Sequence, residues 1–316
     1  MPRVIDCQDT STTTLEEVVD FLFAERINTQ DEDAFTAAAP MLKRLANNRA
    51  FLADMVCAEM KSYRSLQETN SYSAQVFMLY PPQRHGQAFF MRACFWPANA
   101  DHIVRTSGTD PFFYHKPHDH NFNFLTVGYH GSGYWSDYYE YAYGDRVGYR
   151  GEDAQLRFVE RSQVDKGKVM LYRAFKDIHN QLPADDFSVT LNIMENSLRA
   201  ATMDQYAFDV EKGTITGLIN RMSSAALFPA VAAIGGEEAL DLLHTIARNH
   251  PLERVRLSAY VALASAKGTP QEAIDVWSRI SVDDPVFLRE WAKVRTNELE
   301  SVIESRPPPP VQSVAA

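Results

Sequence analysis

Three hydrophobic textures follow one another along the chain. In residues 12–66 apolar side chains recur at three- and four-residue steps, the spacing that lines one face of a helix. Leu15, Val18, Phe21 and Leu22 make the first such stripe. Ahead of it, Thr13 with Glu16 and Thr14 with Glu17 both fit a capping box, in which a hydroxyl and a carboxylate satisfy exposed N–H groups reciprocally. A second helix is predicted after Asp33. Pro40 should break or restart it, since proline lacks the N–H a helix interior needs. From residue 41, "MLKRLANNRAFLADMVCAEMKSY" keeps the helical spacing. These helices are expected to pack on whatever follows.

From about 72 to 196 the pattern shortens to β-branched and aromatic runs: "AQVFMLY", "QAFFMRACFW", "FNFLTVGY", "GYWSDYYEYAY", "QLRFVERSQ", "GKVMLYRAF" and "FSVTLNIM". Gly, Pro, Asp and Asn punctuate them, as turns between strands require. "HGSG" at 130–133 reads as a hairpin turn. Many short strands at this spacing predict a sandwich or small barrel, with a jelly roll as one form. Helical spacing returns over 204–300. Thr269, Pro270 and Glu272 make an N-cap, a first-turn proline and a capping-box acid; Asp284 and Pro285 repeat the cap and proline, and Pro251 is expected to open another helix. Leu240, Leu243, His244 and Ala247 form one stripe, and Val255, Leu257, Tyr260, Val261 and Ala264 another. Paired short helices of this kind are similar to HEAT-like hairpins, though no clean repeat period is present. A plain helical cap on the strand region is the simpler reading. The expected division is 1–70 helical, 71–200 strand-rich, 201–304 helical, and 305–316 an extended, disordered Pro-rich tail containing "RPPPPVQSVAA".

Composition narrows the function classes. The 316 residues are 45% hydrophobic and 23% charged, enough to bury a core without covalent staples. The net charge of -10 argues against a nucleic-acid binder, which needs Lys and Arg to neutralise phosphates. Cys7, Cys57 and Cys94 are too few and too scattered for a disulfide framework. The N-terminal stretch has no apolar signal-like core, and "AALFPAVAAIGG" is too short to span a bilayer. A cytoplasmic protein with no membrane partner is expected. The turn-rich "SGTDP" and "GDRVGYRGED" contain no phosphate-cradling glycine motif, so nucleotide binding is not expected.

The candidate chemistry is histidine. "YHKPHDHNFNFLTVGYHGSGY" holds His115, His118, His120 and His130, and seven of the nine histidines fall within 85–179. On a strand, alternate side chains share a face, so His118 and His120 point together with Phe122, Phe124 and Thr126, while Asp119 points away. Imidazoles on an apolar face need partners, and a metal accepts a lone pair from each neutral ring. His179, in "GKVMLYRAFKDIHNQ", follows a strand and a turn that can return it to face the pair. The competing reading is a hydrogen-bonded polar loop with His179 unrelated. Three His ligands leave coordination positions open for substrate or water, as a catalytic site requires. Glu140 is a candidate fourth ligand or supporting carboxylate, with Tyr138 beside it as a candidate substrate-orienting phenol. His115 is a ligand if its loop curls inward; His130 reads as a turn residue. Tyr139, Tyr141 and Tyr143 share the opposite face and read as packing. Arg173, on a strand with Val169 and Leu171, either grips a substrate carboxylate or forms a surface ion pair, and Arg92 in "FFMRACFW" invites the same two readings. Neither HExxH nor CxxC is present to support a zinc hydrolase.

The HxH pair, the later His179 and the run of short strands over roughly 75–196 resemble the cupin superfamily. Where that family commonly carries a Glu shortly after the second His, this chain has Phe124 and Leu125; where it carries PxG before the last His, this chain reads "RAFKDIH". Three-histidine cupins similar to cysteine dioxygenase, the thiol dioxygenases, also lack the Glu. The resemblance implies an α+β protein: a cupin-like antiparallel β-barrel or jelly roll flanked by N-terminal and C-terminal helical regions. It implies His118, His120 and His179 as ligands of Fe(II), with Mn, Ni or Zn as alternatives, and O2-dependent oxidation of a small polar molecule. It also makes a homodimer through edge strands an expectation. Two other classes stay open: a non-catalytic binding or scaffold protein whose C-terminal helices hold a partner, and a metal-dependent isomerase or lyase.

Overall fold

The structure, a computed structural model, describes residues 1–61, 67, 70, 72–73, 75–83, 86–220 and 224–305. The expected disordered tail from 306 onward lies outside the described residues. The chain divides into two compact units: Met1–Arg146 with Asp153–Ile219, and Val147–Glu152 with Asn220–Ala316.

In the first unit, β1 (Arg3–Ile5) precedes helices α1 (Leu15–Ala24), α2 (Glu32–Thr36), α3 (Ala39–Asn47) and α4 (Phe51–Lys61). Of the two capping boxes available, Thr14–Glu17 opens α1, and Asp31 caps α2 through the Ala34 N–H. Pro40 sits in the first turn of α3, where its missing N–H costs nothing. The remaining strands are β2 (Val76–Tyr80), β3 (Phe89–Trp96), β4 (Phe124–His130), β5 (Trp135–Glu140), β6 (Arg157–Gln163), β7 (Val169–Tyr172), β8 (Asp177–Leu182), β9 (Ser188–Glu195), β10 (Tyr206–Asp209) and β11 (Thr214–Leu218). Short helices α5 (His102–Ser107) and α6 (Arg199–Thr202) interrupt them.

A six-stranded antiparallel sheet runs in the order β1-β7-β4-β9-β3-β2. Both of its faces are buried. Leu125, Val127, Leu171, Leu191 and Ile193 form one core with Val18, Leu22, Leu42 and Leu45 of the helices. Phe124, Met170, Tyr172, Met194, Cys94 and Trp96, on the alternate positions, form a second core with Tyr134 and Tyr138. Each fully buried aliphatic side chain here contributes about 1.5–3 kcal/mol. The second layer is β6-β5-β8, and β10 pairs with β11. Residues 115–120 join these pieces. His115 N–H donates to the Gln181 carbonyl at 2.8 Å, His118 and His179 exchange backbone bonds at 3.1 and 3.0 Å, and Phe208 N–H donates to Pro117 at 3.0 Å.

Two expectations are corrected. No barrel closes among the described residues; the ladders form separate antiparallel sheets in a mixed helix-and-sheet unit. "HGSG" is not a hairpin: β4 pairs with β7 and β9, while β5 pairs with β6 and β8, so the turn carries the chain from one layer to the other. Gly131 and Gly133 hold φ of +78° and +87°, and a Cβ on Gly133 would stand 2.1 Å from the Val164 carbonyl oxygen. Only glycine combines that backbone with that approach.

The second unit contains α7 (Ser224–Ile234), α8 (Glu237–Asn249), α9 (Glu253–Ser265), α10 (Pro270–Trp277) and α11 (Val286–Glu304). Its core gathers Leu243 and Ala247 of α8, Tyr260 and Leu263 of α9, Trp277 of α10 and Leu288 of α11. The Thr269–Glu272 capping box forms as expected from local sequence. No helix among the described residues is long and apolar enough to cross a membrane.

Candidate metal centre

Backbone pairing builds the site. The reciprocal bridge between His118 and His179 sets their Cα atoms opposite each other, and alternation then puts His120 on the same side. The three rings are 4%, 7% and 1% exposed, for His118, His120 and His179. Their Nε2 atoms converge: His179 Nε2 lies 3.0 Å from His120 Nε2 and 3.1 Å from His118 Nε2. Burial lowers the His118 pKa to about 4, against a hydrogen bond to the Lys116 carbonyl, and holds His120 and His179 well below the ordinary imidazole range. All three are therefore neutral near pH 7, each with one lone pair on the ring.

This geometry fits a cation better than it fits protons. His118 Nδ1 lies 2.6 Å from the Lys116 carbonyl and so carries the ring hydrogen, leaving Nε2 a bare acceptor. His179 Nε2 then has at most one hydrogen to serve both neighbours. Its Nδ1 is buried with no hydrogen-bond partner among the described residues. An ion takes one lone pair from each ring and removes the conflict. Two nitrogens each about 2.1 Å from an ion, at right angles, stand about 3.0 Å apart, the separation seen at His179. These three residues form the one group of potential metal-ligating side chains that converges in this way among the described residues.

Asp119 points away from the rings, as alternation predicts. It accepts from the Tyr206 N–H at 2.6 Å and from the Tyr141 hydroxyl. Burial raises its carboxyl to about 7 against those two bonds. Asp119 thus clamps the residue between the two histidines. The Gln205 amide donates to the Asp119 carbonyl at 2.7 Å behind His120.

The three rings share the wall of a cavity of about 520 Å³. Trp96, Phe122, Phe124 and Phe113 give it an apolar lining. Its polar lining includes Arg92, Cys94, Thr190 and Asn192 on the inner face of the large sheet, Gln181 from β8, Gln75 and Gln205, and Asp110, whose carboxylate is paired with Lys116 at 3.2 Å. Asn192 donates to Cys94 Sγ at 3.2 Å, and Trp96 Nε1 donates to Thr190 at 3.0 Å. Arg92 stacks 4.9 Å from the Tyr72 ring. Its Nε is buried without a hydrogen-bond partner, and it has no carboxylate partner among the described residues.

The other anticipated site residues stand elsewhere. Glu140 is not in the histidine group; its carboxylate is taken by Arg157 at 2.5 Å, Arg173 at 2.9 Å and the Met1 amine. Arg173 does not line the cavity, because Asp177, four residues on, holds its guanidinium at 2.6 Å. Tyr138 is fully buried behind the rings, bonded to the Tyr172 hydroxyl at 2.8 Å. His115 is exposed with φ +59°, and His130 is exposed at the end of β4. Tyr139, Tyr141 and Tyr143 pack with Tyr206, Phe208 and Ile215. Sequence reasoning gave little weight to Arg92 and overlooked Thr190 and Asn192. The available signal was their polarity at inward positions of otherwise apolar strands.

No family model matches the chain, and no curated protein matches it in sequence. Solved structures similar to it include a salicylate 1,2-dioxygenase from Pseudaminobacter salicylatoxidans, at 7% identity over 45% of this chain and 33% of that one, TM-score 0.25. Structures of DMSP lyases align at 15% identity over 66% of this chain and 86% of that one, TM-score 0.26. Vicilin from Corylus avellana aligns at 9% identity over 54% and 44%, TM-score 0.21. This chain spans a third of the dioxygenase's length.

Proposed function

We propose that the protein is a cupin-type, three-histidine metalloenzyme that uses Fe(II) and O2 to oxidise a small carboxylate-bearing molecule. One observation carries the reading: three neutral imidazoles converge their Nε2 atoms on one point on the wall of a cavity that also holds a guanidinium with no carboxylate partner among the described residues. His118, His120 and His179 would hold the ion, which when bound would supply Lewis acidity and, as Fe(II), one-electron chemistry toward O2. Arg92 binds the substrate carboxylate through paired charge-assisted hydrogen bonds, a task Arg173 cannot share while Asp177 and Glu140 occupy it. Trp96, Phe122 and Phe124 exclude water around that pair and so strengthen it. Asp119 and the backbone bridge fix the two halves of the histidine set, so that binding requires little rearrangement.

Elemental analysis of protein purified without added metal tests this first. About one iron per chain is expected, lost in His179→Ala, whose ring touches both others. With a pool of small carboxylic acids, an oxygen electrode should record uptake, and Arg92→Gln should raise KM about tenfold while keeping its iron. Stoichiometric Mn, Ni or Zn without O2 uptake would overturn oxidation in favour of an isomerase or lyase. Metal-free protein that co-purifies with another chain would overturn both in favour of a scaffold.

A further inference from the structure

The helical unit has a hollow of its own, about 550 Å³, walled by Asp241, His244, Thr245 and Arg248 of α8, Tyr260 of α9 and Arg279 just beyond α10. Arg248 Nε donates to the His244 carbonyl at 3.3 Å, and Arg279 Nη1 lies 3.4 Å from His244 Nδ1. Neither guanidinium has a carboxylate partner among the described residues. That is not for want of acids nearby: Arg256, in the same unit, is paired with Asp284 at 2.5 Å. Lys267 adds a further positive charge felt at His244, and Asp241 is the one acid on the wall. The contact with Arg279 makes His244 Nδ1 an acceptor, so the ring's hydrogen is on Nε2 and free to donate. Tyr260 closes the floor, 3% exposed and stacked on Trp277. In a chain of net charge -10, two arginines without a carboxylate partner among the described residues and a donating imidazole around one concavity run against the general trend.

We propose that this hollow binds a small free oxyanion, a phosphate or a polycarboxylate, through Arg248, Arg279 and His244. Planar guanidinium forks match both kinds of oxyanion and lose little freedom on pairing. The proposal is independent of the metal centre, since every residue it uses belongs to the helical unit.

Isothermal titration of the full chain with inorganic phosphate and, separately, with citrate at low ionic strength tests it. Saturable binding of at least one is expected, weakened at least tenfold in R248Q/R279Q. R248K/R279K keeps the charge and should bind more tightly than R248Q/R279Q, which separates loss of contacts from loss of fold. Phosphate alone or citrate alone would each support the site and name its ligand. Absence of saturable binding for both, or equal affinity in R248Q/R279Q, would overturn it.

Discussion

Behind the histidines, three phenols form a chain: the Tyr172 hydroxyl lies 2.9 Å from that of Tyr134 and 2.8 Å from that of Tyr138. All three side chains are at most 2% exposed, and burial pushes each phenol up, so none ionises near pH 7. Tyr172→Phe keeps the ring but deprives both neighbours. An unmade hydrogen bond at a buried group costs about 1–3 kcal/mol. Tyr134 can fall back on Gln181 and Tyr138 on Ser136, so the low end of that range, about 1–1.5 kcal/mol, applies to each. The expected loss is about 2–3 kcal/mol for Tyr172→Phe, against about 1 kcal/mol for Tyr134→Phe or Tyr138→Phe, each of which leaves Tyr172 one partner. The two units need not unfold together, so a single melting temperature would mix them. Native-state hydrogen exchange at the amides of β4 and β9 reports the sheet unit alone. There, Tyr172→Phe should speed exchange about 30- to 150-fold, at about 1.4 kcal/mol per factor of ten. Metal content should stay the same, because the Tyr172 ring that packs 5.0 Å from His179 is retained. An effect no larger than that of either end variant would refute the central role of Tyr172.

Two further outcomes follow from packing and charge. Leu191→Ala, at a fully buried position between β9 and the helices, should cost about 2–5 kcal/mol by the same exchange measurement, through lost transfer energy and the cavity left behind. Glu140 is lowered from 4.5 to about 2: burial alone would raise it, and the Met1 amine, Arg173 and Arg157 reverse that. Between those values the unfolded chain binds more protons, so the stability Glu140 contributes is complete above pH 4.5 and lost as pH falls through 2. An acid titration followed by circular dichroism should show this dependence weakened in Glu140→Gln.

Local signals were legible in the sequence and long-range partners were not. The Thr14–Glu17 and Thr269–Glu272 boxes appear where the spacing puts them, because a cap involves only residues three apart. The alternation of Leu125 and Val127 with Phe124 and Thr126 likewise sorted the faces of β4. "HGSG" announced a turn, since Gly131 and Gly133 adopt positive φ. Nothing in those four residues says that the strand before them will pair with β7 and β9, and the strand after them with β6 and β8. That choice is made by partners up to seventy residues away. Arg92 and Arg173 pose the same difficulty at the level of a single side chain. Both follow apolar positions on strands. What separates them is Asp177, which occupies one guanidinium, while the other stacks on the Tyr72 ring beside a cavity and has no carboxylate partner among the described residues.

The histidine site divides along the same line. That His118 and His120 point to the same side was readable from alternation alone, although the segment carrying them is no regular strand. It is held extended because β8 pairs with it on one side and β10 on the other. That double pairing explains how His179 arrives. Its N–H and C=O bond to those of His118, so the distance between the two rings is set by a backbone ladder rather than by side-chain attraction. The convergence of the three rings is therefore built into the backbone pairing. The close approach of His179 Nε2 to both neighbours must be tolerated by the fold, a cost the pairing of 115–120 can offset because its six backbone bonds each contribute about 0.5–1.5 kcal/mol. Removing the crowding relieves the site without dismantling the ladder, so the order of the sheet and the order of the metal centre can be perturbed separately.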